Sequence, residues 1–252
     1  IDGRMFDIDG AIAKYSRAFD IYRALGKPLG EAIVAFNTGW LFLKIGEHKR
    51  ALEAFSSARA IFSVLKDLRG LTVCALNLGM IAYFQGRFAA ARRIFASARQ
   101  LAQRLDNPHL GCVALANLGA AEREAGALSL ALAHQEEALR LRREIAPMEL
   151  GSDLSDMGLT YLRSGDVGAA VGIADEIVDL DEAALESVMF PQSVLWSAAQ
   201  IYAAASLNDR YRDALQRAVR MRAERLAAIP GPWRATYEAL PFNRDLVAAP
   251  GP

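Results

Sequence analysis

The sequence predicts an all-α fold built from repeated helical hairpins, an α-solenoid, and two observations predict it. The first is a pattern that returns about every forty residues, seen best in Asn77, Leu78 and Gly79, followed by Gly86 and Ala91. The second is the spacing of apolar residues between these glycines, which recur every three or four positions, as on one helix face. Self-similarity at such a period is typical of stacked repeats. The matching positions are Asn37, Gly39, Gly46 and Ala51; Asn117, Gly119, Gly126 and Ala131; and Asp156, Gly158, Gly165 and Ala170.

Each copy is expected to contain two helices. The glycine that ends the first helix, such as Gly86, suits the left-handed conformation of a helix C-terminus. Gly79 and its equivalents fall inside the first helix, where glycine costs roughly 1 kcal/mol relative to alanine. We expect this cost to be offset by close approach of the second helix at Ala91. A third set of glycines is predicted to precede each first helix: Gly30, Gly70, Gly111 and Gly151.

The repeat phase also predicts the domain organisation. Residues 1–5 resemble a protease-recognition linker left by recombinant expression. Residues 6–228 form the repeat array, and residues 229–252 form a C-terminal helical cap. The array divides into a partial copy at 6–29, copies at about 30–69, 70–110, 111–150 and 151–190, and a degenerate copy at 191–228.

The partial copy lacks its first helix. This absence predicts a segment taken from a longer protein. It also predicts self-association through the apolar side chains that a missing helix would uncover, namely Phe6, Ile8 and Ile12. Exposed repeat ends are therefore a possible route to a homo-oligomer.

Composition and charge exclude several classes of function. The chain has 29 basic and 29 acidic residues, so it lacks the basic footprint that direct nucleic-acid binding requires. Cys74 and Cys112 form no zinc or disulfide motif, which favours a reducing, cytoplasmic location. The apolar run at 71–84 is shorter than the roughly 20 residues that span a bilayer and is interpreted as a buried helix. No phosphate loop, HExxH or GxSxG motif occurs, so we expect no catalytic residues, no metal and no cofactor.

With these patterns in view, residues 6–228 resemble the tetratricopeptide repeat. The second copy carries the consensus best, with Leu78, Gly79, Gly86, Ala91 and Phe95 at the family offsets. The forty-residue period is similar to the long-repeat branch, as in kinesin light chain and the sensor regions of bacterial signalling ATPases and kinases. The resemblance implies a right-handed superhelix whose first helices line a concave groove. It further implies a non-catalytic interaction scaffold or sensor module of a larger, bacterial signalling or transcriptional regulator.

The same resemblance implies which residues bind a partner. In long-repeat members, asparagines before the Leu-Gly pair hold the backbone of an extended peptide, and Asn37, Asn77 and Asn117 match them. A side-chain amide offers both a donor and an acceptor, so it can pair with any peptide group. In the fourth copy Asp156 keeps only the acceptor and adds charge, which favours a donor-rich or basic ligand there. The alternative is that these residues cap or bridge helices.

Further groove residues are expected about one turn along the same helix faces. Large apolar or aromatic side chains there would anchor a protein, an extended peptide or a partner helix. The alternative is that they are buried against neighbouring helices. The predicted residues are Trp40, Met80, Tyr83 and Arg123.

The third copy carries polar residues at core positions. Glu122 stands where the first copy has Phe42, and Gln135 stands where the second has Phe95. We expect Glu122 and Gln135 to pair with each other, because an unpaired buried polar group costs about 1–3 kcal/mol. The alternative is a polar pocket, with Glu122, Arg123, His134 and Gln135 near a small charged ligand.

Overall fold

The computed structural model describes residues 7–249, and all the long elements in this range are α-helices, which confirms the predicted all-α fold. The predicted linker at 1–5, Phe6 and the last three residues of the predicted cap lie outside the described range. The helices are α1 (Ile8–Ala24), α2 (Pro28–Lys44), α3 (His48–Val64), α4 (Leu68–Phe84), α5 (Phe88–Arg104), α6 (Pro108–Glu124), α7 (Leu128–Ile145), α8 (Leu150–Ser164), α9 (Val167–Val178), α10 (Glu182–Ser187), α11 (Pro191–Ala204), α12 (Asn208–Ala228), α13 (Gly231–Glu238) and α14 (Pro241–Ala248), with a 3₁₀ turn at Pro147–Glu149.

The chain folds as two compact units. Unit 1 contains residues 7–111 and 226–239, and its helical hairpins are α2–α3 and α4–α5. Unit 2 contains residues 112–225 and 240–249, and its best-defined hairpin is α8–α9. Helix α13 belongs to unit 1, and helix α14 to unit 2.

Local sequence fixes where the hairpin helices begin and end. The Asp67 carboxylate accepts a hydrogen bond from the backbone N–H of Gly70 at 3.0 Å, which caps α4. Asn107 caps α6 in the same way through Leu110 N–H at 2.9 Å. At the other end of the first helices, Gly86 has a φ of 71°, so the predicted left-handed turn is confirmed. The same conformation occurs at Gly46, Gly126 and Gly165.

The glycines inside the first helices accommodate large side chains of the second helix. A Cβ on Gly79 would lie 2.4 Å from Cε1 of Phe95, and one on Gly39 would lie 2.9 Å from the Phe55 ring. The predicted close approach at the alanine is observed in the third copy, where a Cβ on Gly119 would lie 3.0 Å from the carbonyl oxygen of Ala131. In unit 2 the atom nearest to a Cβ on Gly158 is Cδ1 of Ile201, at 2.8 Å.

The third set of glycines lies within helices, so the prediction that they precede the helices is wrong. Gly70 is in the first turn of α4, where a Cβ would lie 2.4 Å from the Phe62 ring. Gly30 has the same relation to Tyr22, also at 2.4 Å. Gly30 and Gly70 thus let an aromatic ring of the preceding helix lie against the backbone, whereas a Cβ on Gly151 would meet aliphatic side chains and one on Gly111 would meet nothing within 4 Å.

The beginning and end of the described chain differ in part from expectation. Ile8 is fully buried, so it does not contribute to the apolar surface predicted at the start of the partial copy. Ile12 is partly buried, and the exposed apolar residues nearest to the start of the described chain include Ile21, Leu25 and Leu29. In unit 2, α14 packs on the start of α11, with the Phe190 and Phe242 ring centroids 4.9 Å apart.

Both cysteines are free and buried. Burial raises the pKa of the Cys74 thiol to about 12 and that of Cys112 to about 11. The Cys112 thiol also lies 3.1 Å from the Ala138 carbonyl oxygen, to which it donates. These thiols are protonated at neutral pH and shielded from reagents. Among the described helices, none has the length and apolarity needed to cross a bilayer.

Gly79→Ala is expected to lower the free energy of unfolding by about 1–3 kcal/mol, because the new methyl group overlaps the Phe95 ring. Gly111→Ala is the matched control: it also lies in a helix, but no heavy atom lies within 4 Å of the position that its new methyl group would take. That control should be neutral or stabilising by up to about 1 kcal/mol. Urea unfolding of both variants measures the difference, and equal stabilities would contradict the packing role of Gly79.

Candidate functional site

One side of helix α2 in unit 1 carries two exposed apolar residues with an asparagine between them. Ile33, Asn37 and Trp40 are spaced four and three residues apart and share one side of the helix. Ile33 is 47% exposed and Trp40 is 41% exposed. The ammonium group of Lys44 lies 4.3 Å from the centroid of the Trp40 ring. The expected exposure of Trp40 is therefore observed, with the Lys44 ammonium group over one face of its ring.

Helix α4 carries the equivalent stripe one repeat later, with Val73, Asn77 and Met80 all partly buried. The side-chain N–H of Asn77 donates to the Val73 carbonyl oxygen at 2.8 Å. One of the two N–H donors of this amide is thus used within α4, while its oxygen can still accept. We call the surface formed by Ile33, Asn37, Trp40, Val73, Asn77 and Met80 the α2–α4 face.

The other two asparagines differ from Asn77. Asn37 in unit 1 and Asn117 in unit 2 are partly buried, and neither side chain hydrogen-bonds to any residue within 7–249. At these two positions the amide does not cap or bridge helices among the described residues. Their amides have both a donor and an acceptor available for a ligand.

Tyr83 and His48 belong to an aromatic cluster at the end of α4. The Tyr83 ring meets Phe84 edge-on, with centroids 6.0 Å apart, and Phe88 at 5.5 Å. His48 stacks on Phe84 with an interplanar angle of 3°. Burial lowers the pKa of His48, opposed by the charge of Glu47, so the ring is held neutral. No functional role was predicted for His48 from the sequence. A signal for the stacking is nevertheless present, because the second copy carries Phe84 where the neighbouring copies carry Lys44 and Glu124.

In unit 2, two predicted groove residues bind each other. Arg123 is only 4% exposed, and its Nη1 donates to Oδ1 of Asp156 at 2.8 Å and to the Asp156 carbonyl at 2.9 Å. The predicted role of Asp156 in attracting a basic ligand is filled here by an arginine of the same unit. Arg123 is correspondingly buried instead of exposed to a ligand.

Glu124 completes this ionic network. Its carboxylate accepts from Arg123 Nε at 3.0 Å and from Arg163 Nη1 at 2.9 Å. Burial alone would raise the pKa of Glu124, but the hydrogen bonds and charges of the two arginines outweigh it and lower the pKa. Two cations and two anions therefore hold the end of α6 to α8.

The predicted pairing of Glu122 with Gln135 is wrong. Glu122 instead binds His134, with Oε2 2.8 Å from Nδ1. Gln135 is 2% exposed, and within the described residues neither its amide nitrogen nor its oxygen has a hydrogen-bond partner. Because the His134 imidazole pairs with the Glu122 carboxylate, the Gln135 amide remains unpaired at a position where sister hairpins have a core phenylalanine.

A surface depression of about 380 Å³ lies in unit 2. Its floor is Leu139 and Met157, and its rim carries charges of both signs. The residues of the predicted polar pocket do not line it. Within residues 7–249 no group of three or more His, Cys, Asp or Glu side chains is arranged to hold a metal ion. The full lining is Glu136, Leu139, Arg140, Arg143, Glu144 and Met157.

Together, the described helices define a repeat protein built from helical hairpins. The comparison with family models identifies the repeat, because residues 71–144 match the tetratricopeptide repeat. This match confirms the predicted tetratricopeptide repeat for residues 71–144, and the described helices confirm the all-helical fold. No curated protein matches the sequence of the chain.

Solved structures share this fold at low sequence identity. BtubC (BKLC) from P. vanneervenii is 18% identical, with 86% of this chain and 92% of that chain covered and a TM-score of 0.64. A Rap protein complexed with Competence and Sporulation Factor is 14% identical, with coverages of 94% and 70% and a TM-score of 0.65. The Rap conjugation gene regulator of the plasmid pLS20, in complex with the Phr* peptide, is 15% identical, with coverages of 82% and 74% and a TM-score of 0.52.

Gln135→Phe is expected to raise the free energy of unfolding by about 1–3 kcal/mol, because it removes an unpaired buried amide and restores the ring found in sister hairpins. Gly119 leaves room for it, as Gly79 does for Phe95. The reverse change, Phe95→Gln, is the matched variant and should destabilise. Denaturant unfolding measures both, and a destabilised Gln135→Phe would contradict the interpretation of Gln135 as an unsatisfied core residue.

Proposed function

We propose that this protein is a non-catalytic interaction scaffold and that its α2–α4 face binds an extended segment of a partner protein. The observation that carries the proposal is the exposed Trp40, flanked on the same side of α2 by Ile33 and the unpaired amide of Asn37. Exposed tryptophan at an interface centre commonly supplies a large share of the binding energy. The Asn37 amide can pair with a backbone group of the segment irrespective of its sequence.

The family and the similar structures support the same class of function. Two of those structures contain a bound factor or peptide, namely Competence and Sporulation Factor and the Phr* peptide. By analogy, the scaffold would act as a sensor or docking module of a larger signalling or transcriptional regulator. The ligand is a peptide or protein segment with an apolar side chain for Trp40 and a backbone group for Asn37. No cofactor takes part in this proposed role.

Binding at the α2–α4 face is tested by selecting peptides from a display library on the wild-type protein and measuring their affinities for variants. Trp40→Ala should weaken binding by about thirtyfold, which corresponds to about 2 kcal/mol at an interface anchor. Asn37→Ala should weaken it less, because one amide pair contributes about 0.5–1.5 kcal/mol.

Val64→Ala is the control, since Val64 is a more exposed apolar residue of unit 1 that lies on α3, outside the α2–α4 face. Its affinity should equal that of the wild type. Selected peptides that bind Trp40→Ala and Asn37→Ala as tightly as the wild type would refute the proposed face.

Self-association is a second candidate, favoured by the exposed apolar residues near the α1–α2 turn. Leu25 is 61% exposed, and Ile21 and Leu29 are similarly uncovered. We expect the sedimentation coefficient to rise with protein concentration and Leu25→Lys to abolish the rise. Val64→Lys adds the same charge at another exposed apolar position and should leave it intact. A monomer at all concentrations would contradict this candidate.

A further inference from the structure

Trp233 of helix α13 contacts residues of unit 1 from the opposite end of the sequence. Its indole N–H donates to Oδ1 of Asp9 at 3.0 Å, a hydrogen bond between residues 224 positions apart. The ring centroids of Trp233 and Phe42 are 6.2 Å apart, at an angle of 54°. The guanidinium carbon of Arg50 lies 5.3 Å from the Trp233 centroid. All four residues belong to unit 1.

These three contacts recognise three different properties of an indole ring. The carboxylate of Asp9 accepts the only hydrogen bond that indole can donate. Phe42 offers an aromatic surface in a tilted geometry that ring quadrupoles favour. The guanidinium carbon of Arg50 also lies 4.3 Å from the Phe42 centroid, so the same cation makes cation–π contacts with both rings. A charged acceptor, a ring and a cation in one place favour tryptophan over other side chains.

The site is assembled from three helices of unit 1. Asp9 lies in the first turn of α1, Phe42 in the last turn of α2, and Arg50 in the first turn of α3. Phe42 is only 5% exposed with Trp233 in place. The three contacting groups lie on helices other than α13, so the site and its occupant are separate elements of unit 1.

Helix α13 itself has little local support. It is eight residues long, far below the roughly 12–15 residues at which an isolated helix becomes marginally stable. Its N-cap residue, Pro230, provides no side-chain cap. Arg234 donates to the Ile229 carbonyl at 2.8 Å and to the Ala227 carbonyl at 3.5 Å, which ties α13 to the residues just before it. The position of α13 therefore depends on its side-chain contacts, in which the partly buried Trp233 and the buried Tyr237 take part.

We propose that Asp9, Phe42 and Arg50 form a tryptophan-binding site and that α13 is its releasable ligand, carried by the same chain. Docked, Trp233 covers the side of α2 that lies opposite Trp40. Released, the segment at 229–239 loses its helical order and uncovers Phe42. The site and its occupant make a strap that opens and closes on the N-terminal hairpin, independently of any ligand on the α2–α4 face.

Hydrogen exchange of the full chain, read by mass spectrometry, tests the strap. Trp233→Ala should speed exchange of the backbone amides within 232–239, which begin at residue 233 because Pro232 has no N–H, by at least about tenfold, as expected for losing a hydrogen bond to a charged group. Amides of α4 and α5 should exchange as in the wild type. Unchanged exchange at 232–239 overturns the proposal, and so does faster exchange throughout α2–α5, which would make Trp233 a core residue of unit 1.

A pair of Asp9 variants separates the hydrogen bond from the charge. Asp9→Asn keeps an acceptor oxygen for the indole, whereas Asp9→Ala removes it, and both lose the carboxylate charge near the start of α1. Faster exchange at 232–239 in Asp9→Ala than in Asp9→Asn supports recognition of the indole N–H. Equal exchange in the two variants overturns that part of the site.

Discussion

The packing of a large side chain onto a glycine backbone is the contact on which the hairpins depend. In unit 1 the rings of Phe55 and Phe95 lie so close to Gly39 and Gly79 that a Cβ at either glycine would come within 2.9 Å of a ring atom. This contact sets the distance between the two helices of a hairpin, because interaxial separation follows the size of the side chains at the crossing. Once this distance is fixed, the connections between helices must adopt a backbone conformation that fits it. Lys66 and Asp106 adopt the left-handed conformation with φ of 55° and 49°, at the positions matching Gly26, although neither is a glycine.

Where the side chain over the glycine changes, the chemistry of the hairpin changes. Gln135 takes the ring's position against Gly119, and its Cγ occupies the space where a ring atom lies in unit 1. The neighbouring polar groups pair with the side chains that lie within hydrogen-bonding distance: Glu122 pairs with His134, and Arg123 pairs with Asp156. In unit 2, Arg123 and Asp156 at two of the predicted groove positions are thus paired with each other. In unit 1, Trp40 of α2 is exposed beside the Asn37 amide, and this difference favours unit 1 for the proposed partner site.

The sequence predicted the repeat well because the repeat is local. Pro28, Leu68 and Pro108 begin helices forty residues apart, each seventeen residues long, as the period requires. Turn glycines such as Gly86 were predictable because few other residues favour their conformation. Trp40 could also be assigned to the open side of α2, since its neighbours already filled the core.

The remaining features depend on contacts that no period encodes. The partner of Glu122 was predicted wrongly because two polar neighbours compete, and only their side-chain geometry decides between them. The burial of Arg123 by Asp156 joins residues 33 positions apart on different helices. Helix α13 falls outside the repeat phase altogether. Its contact with Asp9 has no signature in either local sequence.

Unit 1 combines residues from the start of the chain with residues 226–239, so it is completed late during synthesis. Domains fold as they emerge during synthesis, at about 5–20 residues per second. Asp9, Phe42 and Arg50 leave the ribosome well over one hundred residues before Trp233, which corresponds to a delay on the order of 10–40 s. The hairpins of unit 1 thus fold and persist with Phe42 uncovered while the rest of the chain is translated. The newly made protein passes through an open form before helix α13 docks on unit 1.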